Sequence, residues 1–77
     1  MVSGFVLINV AAGKEESVYK SLLDMGETEG VRQVFGQYDL IIRVEAEDLN
    51  ELITTVIGKI RSVDGVTKTT TLIATGD

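Results

Sequence analysis

Catalysis near neutral pH most often rests on a histidine, an activated cysteine, paired carboxylates or a bound metal. This sequence of 77 residues has no His and no Cys. Adjacent carboxylates occur at Glu15-Glu16 and Glu47-Asp48, but both pairs stand where helices are expected to begin, and the helix dipole favours negative charge there. None of the eight glycines falls into G-x-x-x-x-G-K-[ST] or G-x-G-x-x-G, so no phosphate-cradling loop is expected. What stands out is VFGQYDLII, residues 34–42, in which Tyr38 and Asp39 sit side by side at the tip of an expected hairpin. An Asn-Gly or Asp-Gly pair would make a simpler turn. The residue inventory therefore points to binding and assembly, with no catalytic residue, metal or cofactor expected.

The elements that must carry this turn follow from hydrophobic periodicity. Residues 4–10, GFVLINV, are an apolar, β-branched run too short for a globular helix and read as a first strand. From Lys14 the period changes, and Val18, Leu22 and Met25, flanked by Tyr19 and Leu23, form a helical stripe that Gly26 would close in a left-handed conformation. Residues 31–35 and 38–45 read as a hairpin through Gly36 and Gln37. Asp48 with Glu51 resembles a capping box, and Leu49, Leu52, Ile53, Val56, Ile57 and Ile60 follow helical spacing. Asp64-Gly65 makes a turn before a last strand over residues 66–74, rich in β-branched side chains.

The order β-α-β-β-α-β is the ferredoxin-like arrangement: an antiparallel four-stranded sheet, first and third strands central, with both helices on one face. A single α+β domain over residues 1–77 is expected. The opposite face would then be wet, yet the first and third strands are apolar on both sides. A chain this short buries only about 60 to 65% of its unfolded surface, and with no cysteine or histidine to staple it, oligomerisation is the remaining remedy. A second copy is expected to cover the open face, with Val6, Ile8, Val10 and Ile41 at the interface between copies.

The formal charge is −5, from 12 acidic and 7 basic residues, and the bases are scattered along the chain. Direct nucleic-acid binding is not expected of such a chain, and the expected edge strands lack the aromatic pairs on which an RNA-recognition sheet stacks bases. There is no 18-residue apolar run to span a membrane and no basic segment ahead of the first apolar run, so a cytoplasmic location is expected.

Three stretches together carry a family resemblance: Val34-x-Gly36-x-Tyr38-Asp39-Leu40, the helix start Glu47-Asp48-Leu49, and Val63-x-Gly65-Val66-x-x-Thr69-x-Thr71. Their order and spacing, from about Phe5 to Ala74, resemble the C-terminal effector domain of the Lrp/AsnC regulators, also called the regulation-of-amino-acid-metabolism (RAM) domain. Because the first strand begins within a few residues of Met1, the resemblance is to the stand-alone form of that module, without the helix-turn-helix. It implies dimers formed through the sheets, rings of eight or ten subunits (octamer or decamer), and a free amino acid or similar small effector bound between dimers. Carried over by motif, it implicates Gly36, Gln37, Tyr38, Asp39, Thr69 and Thr71 as ligand-binding residues. A zwitterion needs a carboxylate for its ammonium group and N–H or hydroxyl donors for its carboxylate, which Asp39, the amides near Gly36 and the two threonines would supply.

The expected function is an amino-acid-sensing, oligomerising module that modulates transcription, alone or by co-assembly with full-length Lrp/AsnC regulators. A ligand-independent ring-forming protein is the first rival. A regulatory domain of the ACT type, with Gly13 at the position of that family's glycine, is the second. A dimeric α/β-barrel enzyme is the third, with Arg43 as its only inward-facing candidate.

Overall fold

The computed structural model describes residues 2–25 and 28–74. Four strands, β1 (Val2–Val10), β2 (Thr28–Gln33), β3 (Leu40–Ala46) and β4 (Val66–Ala74), form one antiparallel sheet in the order β2-β3-β1-β4. Helix α1 (Glu15–Leu23) links β1 to β2, and a second helix, α2, occupies residues 49–61 between β3 and β4. This is the α+β, ferredoxin-like architecture, with the two most apolar strands in the centre.

Alternation gives β1 and β3 two apolar sides, and the packing of the helices decides which is the core. Val6, Ile8 and Val10 on β1, and Leu40, Ile42 and Val44 on β3, face the helices and pack against Val18, Leu22, Leu52, Val56 and Ile60. Val6 and Ile8 are 0% exposed and Val10 is 9% exposed within a single chain, so the expectation that these three form an interface between copies is corrected. They are the chain's own core. Ile41 pairs with Leu7 across the β1–β3 ladder and lies on the other, uncovered face with Phe5 and Leu72. Phe5 is 44% and Leu72 54% exposed there.

Both helix starts behave as their residues dictate. Glu15 and Glu16 occupy the first turn of α1, and the Glu15 Oε1 accepts the Gly13 N–H at 3.1 Å. Asp48 caps α2, its Oδ1 accepting the Glu51 N–H at 2.8 Å. Glu51 reaches back to the Glu47 N–H at 3.0 Å, one residue earlier than the reciprocal contact of a capping box. The expected left-handed Gly26 lies outside the described residues.

The body of α2 departs from simple periodicity. Between α-helical ends, Leu49–Glu51 and Gly58–Arg61, the segment Leu52–Ile57 is wound as a π-helix. That wider winding brings Ile57 towards the sheet at 8% exposure and turns Leu49 (47%) and Ile53 (48%) outwards. A uniform 3.6-residue period would place both of these in the core. The hairpin boundaries also shift: β2 ends at Gln33 and β3 begins at Leu40, which leaves Val34 to Asp39 as a six-residue connection.

At β4, the turn at Gly65 holds φ +104°, and a Cβ there would come within 2.8 Å of the Lys14 Cβ and of Val18 Cγ2. Glycine is needed both for its backbone and for its lack of bulk. Through the Gly65 carbonyl, which accepts the Ala11 N–H at 2.8 Å, this turn ties the end of β1 to the start of β4.

Candidate functional site

The six-residue connection is built around β1. Gly36 turns the chain with φ +123°, and Val34 N–H donates to the Asp39 carbonyl at 3.0 Å to close the loop. Asp39 then continues the ladder by other means. Its N–H donates to the Ile8 carbonyl at 2.9 Å, and its Oδ2 accepts the Val10 N–H at 2.8 Å. The side chain thus stands in for the backbone acceptor that a longer β3 would have offered to the end of β1. The second carboxylate oxygen has no hydrogen-bond partner among the described residues. Asp39 lines a cleft of about 230 Å³ with Glu15, Gln33, Val34, Phe35 and Leu40.

Tyr38 goes elsewhere. Its hydroxyl lies 3.0 Å from Thr70 Oγ1, and Thr70 pairs with Leu7, on the uncovered face. Tyr38 therefore lies across that face, while Asp39 stitches the strand ends. Gly36 and Gln37 are exposed at the turn.

Thr69 pairs with Ile8 and Thr71 with Val6, so both threonines share the helix-covered side with those core residues. They line a groove of about 460 Å³ between the outer edge of β4 and the C-terminal half of α2, with Ile57, Arg61, Val66, Thr67 and Lys68. The Thr67 hydroxyl is taken up by the Asn9 carbonyl at 3.1 Å, whereas those of Thr69 and Thr71 have no partner among the described residues.

The six expected ligand residues thus fall into separate places in one chain. Gly36, Gln37 and Asp39 stand at the hairpin, Tyr38 on the open face, and Thr69 and Thr71 in the β4 groove. Arg61 and Lys68 join the β4 groove without having been singled out in the sequence, and Glu15, noted there as a helix-start carboxylate, joins the Asp39 cleft. Arg61 and Lys68 are ordinary surface bases by composition, and only the packing of α2 against β4 brings them to one groove. Among the described residues no group of three or more His, Cys, Asp or Glu side chains could hold a metal, and no helix is long and apolar enough to cross a membrane.

A family model, the Lrp/AsnC ligand binding domain, matches residues 3–76. The chain belongs to the Lrp/AsnC ligand-binding (RAM) domain family. Among its relatives is the HTH-type transcriptional regulator FL11 of Pyrococcus furiosus, 31% identical over 72 residues that cover 94% of this chain and 47% of the regulator. The chain spans about half the length of that curated relative. The solved structure of PHS023 from Pyrococcus horikoshii is 40% identical and superposes with a TM-score of 0.89, covering 100% of this chain and 93% of that one. E. coli AsnC is 26% identical with a TM-score of 0.89, covering 99% of this chain and 52% of that one. Membership in the Lrp/AsnC family takes the place of the ACT-type reading, and the named relatives of known role are regulators rather than enzymes.

Proposed function

We propose that this Lrp/AsnC domain is an effector-sensing assembly module: it binds a free amino acid between copies and thereby changes its own assembly, or that of full-length regulators with which it co-assembles in the cytoplasm. The separation of the two hollows carries this reading. The Asp39 cleft and the Thr69–Thr71 groove share no lining residue, and in this reading the ligand lies between two copies, the hairpin of one meeting the β4 edge of another. Asp39, with one carboxylate oxygen unengaged, suits the ammonium group, and the two unpartnered threonine hydroxyls suit the carboxylate. The apolar open face supports dimers as the building unit, because Phe5 and Leu72 are exposed there and Leu7 and Ile41 are only partly buried in a single chain.

A second reading draws on the same turn. The Asp39 Oδ2 is already used by Val10 and the Tyr38 hydroxyl already sits on Thr70, as expected of a ligand-independent ring whose turn residues only hold its shape. Titration calorimetry with each of the twenty amino acids separates the two. Saturable binding that Asp39→Asn weakens, with the fold intact by circular dichroism, is the expected result. Silence across all twenty at millimolar concentration rejects sensing and leaves assembly.

A further inference from the structure

Taking the sensing reading above as its basis, we propose that the β4 groove selects an effector with a second carboxylate, namely the acidic amino acids aspartate and glutamate, and that Arg61 is the selecting residue. The charge of the lining is the reason. The chain carries a formal charge of −5, yet the groove is lined by Arg61 and Lys68 and by no acidic residue. Lys14 is paired with Asp64, Lys20 with Glu16 and Arg43 with Glu45. Arg61 and Lys68 take part in no ion pair among the described residues.

Helix electrostatics account for one of these cations but not for both. Arg61 lies in the last turn of α2, where a positive charge complements the carbonyl end. Lys68 stands on the facing strand, where no such field asks for it. Its alternation with Thr69 sets its side chain towards the open face, so it serves the groove from the rim through its flexible stem. Arg61 comes from the helix side and presents a planar fork that fits a carboxylate bidentately.

The hydroxyls of Thr69 and Thr71 and the outer edge of β4 can meet one carboxylate of a ligand. Arg61, with Lys68 nearby, is then positive charge beyond what that carboxylate needs. A neutral aliphatic side chain would gain nothing from this charge, which stays hydrated on the exposed Arg61 and Lys68. A second carboxylate pairs with it.

Glutamate and glutamine differ by one charge at nearly equal size, which makes them the deciding pair. Titration calorimetry on the full chain at low salt is expected to show glutamate binding about 5- to 20-fold tighter than glutamine, the scale of one partly exposed, charge-assisted contact. Arg61→Gln is expected to erase that preference, and Lys68→Gln to reduce it. Lys20→Gln, which removes an equal charge from α1, is expected to leave it unchanged. The preference should also shrink as salt rises, because exposed charges are screened. Glutamine or leucine binding as tightly as glutamate, or a preference that survives both Arg61→Gln and Lys68→Gln, overturns the selectivity while the sensing reading stands. If no amino acid binds, both fall together.

Discussion

Asp39 shows how one side chain can be conspicuous in a sequence while its partner stays hidden. Its place beside Tyr38 marked the turn as unusual, but the group it serves, the Val10 N–H, lies 29 positions away and is brought close only by the sheet register. Removing the acceptor leaves a part-buried N–H without its partner, a loss on the order of 1–3 kcal/mol. Asp39→Ala is therefore expected to lower unfolding stability by about that amount in chemical denaturation, whereas Asp39→Asn, which keeps an acceptor, costs less. A wild-type midpoint for Asp39→Ala would show that the Val10 contact contributes nothing. Gly65 makes a sharper case, since both its φ and the Lys14 and Val18 atoms at 2.8 Å oppose a side chain. Gly65→Ala is expected to cost more than the ~1–2 kcal/mol of a left-handed residue alone, read as a lowered melting temperature. The Asp64-Gly65 pair made the turn legible. The close approach of α1 was not, because spacing along a chain carries no record of which helix will lie over it.

At the scale of elements, sequence periodicity gave the number, kind and order of strands and helices, and which two strands are central. It failed where the winding of α2 changes. A pattern of Leu49, Leu52, Ile53, Val56, Ile57 and Ile60 fits a wide apolar stripe, and nothing in residue types signals that the segment Leu52–Ile57 in its middle will be π-wound. The consequence is measurable. Ile60, fully buried, is expected to lose about 2–5 kcal/mol on Ile60→Ala, while Ile53→Glu on the outer side of the same helix stays within about 0.5 kcal/mol. If Ile53→Glu costs as much as Ile60→Ala in urea denaturation, either the winding is uniform or a neighbouring copy covers that face. The same limit applies to the β1 faces. Alternation separates Val6, Ile8 and Val10 from Phe5 and Leu7, but with both sets apolar it cannot say which set the helices cover.

For the whole molecule the question is what lies over the other set. Phe5, Leu7, Ile41 and Leu72 form one apolar patch across the two central strands and β4, and the Arg43–Glu45 pair at 3.1 Å lies on β3 beside it. Burying such side chains contributes roughly 1.5–3 kcal/mol each, which is large against the ~5 kcal/mol net stability of a domain this small. A second copy offers the same patch in return, the self-complementary contact of a two-fold dimer. Light scattering at micromolar concentration is then expected to give a multiple of the 8.3 kDa chain, and the melting temperature should rise with protein concentration, since association stabilises the folded state by mass action. The double variant Phe5→Asp, Leu72→Asp should fall to a single chain that keeps its far-ultraviolet dichroism, because neither side chain belongs to the core. Val6→Asp, one position along β1 and on the other face, should unfold instead. A wild-type protein that is monomeric at those concentrations, with a concentration-independent melting temperature, would remove the dimer and with it the composite site between the Asp39 hairpin and the β4 groove.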